Sequence, residues 1–239
     1  MIRLIIFDLD NTLTDFVWMK DQAIEAAIKA MIDAGLDFPK ERIHDEIYRI
    51  YEQEGIEYQK VFDHLLVDLI GHVDYRILAA GIVGYRKARE AALVLYPHVN
   101  RTLLALLKRG LRLAVISDAP RQEAWLRLCY LGLHHIFDTV VAFEDTGERK
   151  PSPVPFRVVL DRLGIAPGEA LMIGDWPERD IVGASELGIQ TVFARYGDTF
   201  GPRESGADFD IDDIYRLVSI VDELNGAPEE ESDHVRSDQ

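Results

Sequence analysis

The chain opens MIRLIIFDLDNTLTD (residues 1–15), a mostly apolar run that ends in two aspartates flanking one leucine. Residues 3–9, RLIIFDL, have the pattern of a strand buried on both faces of a parallel sheet. Side chains two apart on extended backbone leave the chain on the same side. Asp8 and Asp10 are therefore expected to serve one centre at the carboxyl end of this strand.

Similar runs recur at 111–117 (LRLAVIS), 139–143 (TVVAF), 170–174 (ALMIG) and 191–194 (TVFA). Helical patterns lie between them and stop at glycines: NRTLLALLKRG at Gly110, PRQEAWLRLCYLG at Gly132, SPVPFRVVLDRLG at Gly164 and PERDIVGASELG at Gly188. Strand alternating with helix predicts an α/β fold, a doubly wound, mainly parallel, Rossmann-like sheet.

One connection is far too long. Roughly 100 residues separate the first strand from the second, where a helical crossover needs only about 30. The excess reads as helix: FVWMKDQAIEAAIKAMIDAG, KERIHDEIYRIYEQEG, EYQKVFDHLLVDLIG and DYRILAAGIVGYRKAREAALVLY, with apolar residues three and four apart. This predicts an all-α helical cap over residues 16–92, inserted into a catalytic core made of 1–15 and 93–226. The acidic tail, 227–239, has no apolar anchors and reads as disordered.

Composition excludes several classes. The 239-residue chain is 48% hydrophobic, enough for a proper core, and carries 42 acidic against 26 basic residues, a net charge of −16. Such a field repels nucleic acid and anionic membranes, so neither is an expected partner. An anionic small substrate needs a local cation to be admitted. Cys129 is the single cysteine. It forms no intrachain disulfide, and its setting, WLRLCYLG, reads as the apolar side of a helix. The apolar start is too short for a signal peptide, and no run reaches the length of a membrane span. A cytoplasmic monomer or homodimer is expected.

Ligands of open parallel sheets bind beyond the carboxyl ends of the strands. Asp8 and Asp10 end the first strand, and Ser117 and Asp118 end the second. Lys150 follows the third, in EDTGERKP, and Asp175 follows the fourth, in GDWPERD, with Asp180 five residues on. Each has an ordinary structural explanation as a helix cap, a turn residue or a loop charge. Together they are harder to dismiss, because caps have no reason to gather several carboxylates and a lysine at one crevice. Crowded carboxylates call for a hard cation, and Mg2+ is the natural choice. One carboxylate can then attack an electrophile while another moves a proton. A hydroxyl and an ammonium can hold the oxygens of a transferring phosphoryl group.

DLDNT, VISDA, RKP and GDWPERD, in this order, resemble the four motifs of the haloacid dehalogenase superfamily. The likeness covers the whole α/β part, and the insert resembles that superfamily's α-helical cap, as in its phosphoglycolate phosphatase-like or sialic acid phosphate phosphatase-like branch. It implies Asp8 as the nucleophile, Asp10 as general acid/base, and Ser117 with the backbone amide of Asp118 as phosphate ligands. Lys150 would neutralise charge. Asp8, Asp175 and the backbone carbonyl of Asp10 would hold Mg2+, with Asp180 a further ligand or a residue that positions a metal water or Lys150. True dehalogenases lack an acid at the position of Asp10, so the resemblance favours phosphoryl chemistry. Trp176 departs from the small hydroxyl residue often found after the metal-binding aspartate.

The expected reaction is hydrolysis of a small phosphorylated metabolite. A phosphomutase is the alternative, and a haloacid dehalogenase or a non-catalytic phospho-acceptor module is a more distant one. Tyr48, Arg49, Tyr51, Tyr58, Lys60 and His64 are insert residues with the chemistry to touch a leaving group.

Overall fold

The computed structural model describes residues 1–202 and 204–226. The tail 227–239 lies outside the described residues, so the expectation of disorder there is untested. Among the described residues, six strands form one sheet: β1 (Leu4–Phe7), β2 (Arg112–Ile116), β3 (Thr139–Val141), β4 (Ala170–Gly174), β5 (Gln190–Ala194) and β6 (Phe209–Ile211). All neighbours pair in parallel, in the order β3-β2-β1-β4-β5-β6. The sheet is the doubly wound, Rossmann-like one expected, and its order reverses at β1.

The apolar run of β1 explains its central place. Ile5 and Phe7 join the core on one face of the sheet, and Leu4 and Ile6 join the core on the other. Period-two geometry thus splits a continuous hydrophobic run between two helical layers. β6 has no such run. It is an edge strand in which Ile211 is buried and Asp210 exposed, so one face only needs apolar residues.

The insert consists of α1 (Phe16–Asp33), α2 (Lys40–Glu54), α3 (Val61–Ile70) and α4 (Tyr75–Ala92). These helices close around a hydrophobic core of their own, built from residues such as Ile24, Ile28, Ile47, Leu65 and Ile77. α4 lies close along α1 because Gly84 has no side chain. A Cβ there would stand 2.7 Å from the Ala26 carbonyl oxygen and 2.9 Å from Ala30 Cβ. The expected fourth helix ends earlier than its pattern suggested, at Ala92. Leu93–Tyr96 run extended, because the residue before Pro97 avoids helical backbone and the chain here pairs with the outgoing segment. Thr14 bridges Leu95, its hydroxyl donates to the Val94 carbonyl at 2.6 Å, and the Tyr96 N–H donates to the Leu13 carbonyl at 3.0 Å. The two crossings between sheet and insert are tied side by side.

The remaining helices cover the sheet: α5 (Val99–Lys108), α6 (Arg121–Tyr130), α7 (Phe143–Thr146), α8 (Pro153–Leu163), α9 (Val182–Ser185) and α10 (Arg216–Asn225). The glycines expected to stop helices, Gly110, Gly132, Gly164 and Gly188, all adopt positive φ. Two expectations are corrected. PERDIVGASELG is not one regular helix: Pro177–Ile181 form a wide π-type turn before α9. Such turns often mark functional positions. Cys129 is exposed, not core, because α6 turns Ala124, Arg127 and Leu128 inward and leaves position 129 on the solvent side. Among the described residues, no helix is long and apolar enough to cross a membrane.

Candidate active site

The reversal of strand order puts the carboxyl ends of β1 and β4 side by side. Phe7 pairs with Ile173, and the Asp8 N–H donates to the Ile173 carbonyl at 2.9 Å. Asp8 directly follows Phe7, and Asp175 lies two residues past Ile173, after Gly174. The π-type turn brings Asp180 back to the same point. Its N–H donates to the Trp176 carbonyl at 2.8 Å, and its carboxylate accepts the Trp176 N–H at 3.0 Å. Gly174 makes room, since a Cβ there would lie 2.2 Å from Asp180 Cγ.

Asp8, Asp175 and Asp180 each offer one carboxylate oxygen, and these lie within 4.8 Å of one another. All three residues are buried, with exposures of 7%, 4% and 1%. Lys150, 4% exposed, reaches them from the loop after β3. Its ammonium donates to Asp8 and to the Ile116 carbonyl at 3.3 Å, and pairs with Asp180 at 2.6 Å. Burial pushes Asp8 up to about 8, and Asp180 and Asp10 add to that while Lys150 opposes it. Asp175 is pushed up to about 9 by burial, then by Asp8 and Asp180. Burial alone disfavours the charged form of Lys150, yet the Asp180 and Asp8 carboxylates hold it well above its ordinary value. Three buried carboxylates against one ammonium leave a negative excess. Hard oxygen donors so arranged suit an Mg2+-like cation, and the group could hold one.

Asp10 stands apart. It lines the same cavity of about 550 Å³, but one carboxylate oxygen accepts from Arg127 Nη1 at 3.0 Å. The other oxygen, Oδ1, is buried and has no hydrogen-bond partner among the described residues. Burial pushes Asp10 up to about 6; Arg127 opposes this and Glu57 adds to it. The two aspartates of the opening stretch thus meet different partners, Lys150 for Asp8 and Arg127 for Asp10. Asn11 sits between the strand and the insert at φ 59 and caps α1, its Oδ1 accepting from the N–H groups of Phe16 and Val17 at 3.1 and 3.2 Å. Asp15, the ordinary N-cap, accepts from the Trp18 N–H at 3.0 Å.

Ser117 is buried at the end of β2, and its hydroxyl accepts from the Ala119 N–H at 3.2 Å. Asp118 ties loops together. It accepts from the Lys150 N–H at 2.9 Å and from Arg179 Nη1 at 3.2 Å. Trp176 is half-buried on the cavity wall, between the Phe200 ring at 4.5 Å and the Arg179 guanidinium at 3.6 Å. The hydroxyl that the sequence lacks at position 176 comes from elsewhere: Thr12 Oγ1 donates to Asp175 at 3.2 Å. Gly197 lets the loop after β5 press on this turn, since a Cβ there would lie 1.6 Å from the Asn11 carbonyl oxygen.

From the insert, the cavity is lined by Phe16, Val17 and the turn Glu54–Glu57. None of the six insert residues singled out by chemistry lines it; Tyr51 and Tyr58 line a neighbouring cavity instead. The residues that sequence reasoning missed are Arg127, Glu57 and Thr12. For Arg127 a signal existed, because it shares the helical spacing of the apolar residues Ala124 and Leu128 and so had to face inward. Thr12 and Glu57 carry no comparable signal.

Comparison with known proteins gives a consistent picture. Residues 2–188 match the family model described as haloacid dehalogenase-like hydrolase. The glyceraldehyde 3-phosphate phosphatase of Methanocaldococcus jannaschii is 37% identical over 227 residues, covering 94% of this chain and 99% of the relative. Its counterpart from Methanopyrus kandleri is 35% identical over 230 residues, with 94% and 99% covered. The solved structure of a HAD phosphatase from Thermococcus onnurineus superposes with a TM-score of 0.68 at 26% identity, covering 92% of this chain and 98% of that one.

Proposed function

The chain belongs to the haloacid dehalogenase-like hydrolases, and from that premise we propose that it is an Mg2+-dependent phosphatase that hydrolyses a small organic phosphate monoester through an aspartyl-phosphate on Asp8. One observation carries the reading. Asp10 lines the cavity but lies outside the carboxylate group, with one carboxyl oxygen fixed by Arg127 and the other without a hydrogen-bond partner among the described residues. That is the disposition of a proton donor, whereas Asp8, against Lys150, is held ready to attack.

In the first half-reaction an Asp8 oxygen bonds to phosphorus. The bond from phosphorus to the leaving oxygen breaks with its electron pair, and that oxygen takes the Asp10 proton. In the second, a water oxygen attacks the same phosphorus and gives its proton to Asp10. The electron pair of the breaking bond returns to the Asp8 carboxylate, and inorganic phosphate departs. Lys150, the Ser117 hydroxyl and the Asp118 amide offset charge on the phosphoryl oxygens. Asp180, whose oxygens already take Lys150 and the Trp176 N–H, anchors that lysine. A cation held by Asp8, Asp175, Asp180 and the Asp10 carbonyl supplies further charge neutralisation when bound. Residues 16–92 act as the cap that closes this cavity and touches the leaving group.

The insert's share of the cavity wall suits an uncharged leaving group. Its described residues include the carboxylates of Glu54 and Glu57 but no ammonium or guanidinium. This fits glyceraldehyde 3-phosphate, named for both archaeal relatives, better than a leaving group that bears its own carboxylate or phosphate. The test is a phosphate-release screen with Mg2+ over metabolite phosphates that include glyceraldehyde 3-phosphate, phosphoglycolate and pyrophosphate. Turnover of the first above the other two is expected. No release from any phosphate monoester would sink the proposal, and transfer to a sugar phosphate instead of water would favour a mutase.

A further inference from the structure

Arg127 has no evident structural reason for its place. It lies on the buried face of α6 beside Ala124 and Leu128, 5% exposed, where an apolar side chain would pack without desolvating a charge. Its guanidinium joins two carboxylates from distant parts of the chain. Nη1 donates to Asp10, on the loop after β1, and Nη2 donates to Glu57, on the turn between α2 and α3. The Phe16 ring lies 4.6 Å from its centre. Burial disfavours the charge, but Asp10 and Glu57 together hold Arg127 firmly cationic. Glu57 and Phe16 also form a common wall between the active-site cavity and a second cavity of about 420 Å³, which Arg127 lines.

We propose that Arg127 is a positioning residue for Asp10, and that Glu57 completes its hold from the insert, so that the proton donor is set only when the insert is docked on the core. This rests on the phosphatase reading. A planar guanidinium can donate from different nitrogens to two carboxylates at once, which a lysine ammonium cannot do with fixed geometry. With one Asp10 oxygen fixed by Nη1, the buried Oδ1, which has no hydrogen-bond partner among the described residues, is the one left to carry the transferable proton. If Glu57 withdraws, Arg127 loses one of its two anchors and is free to turn. Asp10 then loses its orientation but keeps its place in the chain.

The test compares leaving groups. A 4-nitrophenolate leaves without a proton, whereas an alkoxide needs one, so a fault in Asp10 positioning separates the two. Rapid-quench measurement of the first turnover is made on the full chain with Mg2+, using 4-nitrophenyl phosphate and glyceraldehyde 3-phosphate. Arg127→Met is expected to keep nitrophenolate release within about threefold of the parent while losing about 100-fold on the alkyl ester, the usual reach of general acid catalysis. Arg127→Lys should recover part of that loss. Glu57→Gln, at a half-buried position on its turn, should show the same selective loss on a smaller scale, about tenfold. It decides the matter if Arg127→Met does not fold. Equal losses on both esters, or no loss on either, would overturn the proposal and leave the phosphatase reading standing. Failure of the unaltered protein to release phosphate from either ester would bring down both.

Discussion

Replacing Asp8 by asparagine should abolish turnover and, without metal, make the protein more stable. The carboxylate oxygens of Asp8, Asp175 and Asp180 lie within 4.8 Å of one another. At an effective dielectric near 20, two unit charges at that separation repel by about 3.5 kcal/mol, so Asp8 meets about 7 kcal/mol from its two neighbours. Attraction to Lys150, taken as an ion pair at roughly 2.8 Å, returns about 6 kcal/mol. The remainder is unfavourable by about 1 kcal/mol, and burial of the carboxylate adds to it. Partial protonation relieves some of this strain, consistent with Asp8 lying near 8 and Asp175 near 9.

Asparagine keeps the shape of the side chain and removes its charge. Asp8→Asn in chelator at neutral pH is therefore expected to gain about 1–3 kcal/mol, or about 2–12 °C in Tm for a chain of this size. Saturating Mg2+ should erase the gain. A ligand at a hundredfold its Kd adds about 2.7 kcal/mol to the unaltered protein, whereas the variant has lost a carboxylate from the site. Turnover of an aryl phosphate should fall by about 10⁴-fold or more. Calorimetry with and without chelator, beside a steady-state assay, checks both halves. A lower Tm for the variant in chelator would refute the crowding argument, and near-normal turnover would refute Asp8 as the nucleophile.

The metal-free protein should also lose stability as pH rises. The native carboxyls of Asp8 and Asp175 protonate near 8 and 9 against about 4 when unfolded, so between these limits the native state binds more protons. The unfolding free energy in chelator should fall from pH 5 to pH 8, by at most about 1.4 kcal/mol per pH unit for each group, with Tm falling alongside, and Mg2+ should flatten the slope; a rising Tm in chelator contradicts this. Thr12→Val removes the hydroxyl that donates to Asp175 at 3.2 Å and should weaken Mg2+ binding by about 10-fold or more, read from the metal dependence of activity. An unchanged metal dependence counts against that role. Gly84→Ala drives a methyl against the Ala26 carbonyl at 2.7 Å and should cost about 1–3 kcal/mol in thermal unfolding by forcing α1 and α4 apart; an unchanged Tm would show that the helices yield freely.

Asp8, Asp10, Lys150 and Asp175 could be found in the sequence because each follows a strand whose apolar pattern is local, and the carboxyl ends of parallel strands share one edge. Arg127 was hidden inside a helical pattern. Its spacing with Ala124 and Leu128 demanded burial, but its partners lie 117 and 70 residues away in the chain, and no local rule names them. Cys129 shows the same limit in reverse. Apolar neighbours suggested an inward face, and the rotation of α6 decided otherwise. β6 went unread because an edge strand buries a single face and leaves no continuous apolar run.

The sequence alone determined the alternation of strands and helices, the long helical excursion after the first strand, and the set of polar residues at the strand ends. These follow from hydrophobic periodicity, which each segment carries by itself. Only the tertiary structure decided how the carboxylates divide. Placing β4 beside β1 brings Asp175 and, through the π-type turn, Asp180 to Asp8 and Lys150. Packing α6 beside the end of β1 gives Asp10 to Arg127, and folding the insert over α6 brings Glu57 to the same guanidinium. The two aspartates of DLDNT are alike in sequence, and the difference between them arises from the charges that distant segments bring within a few ångströms of each.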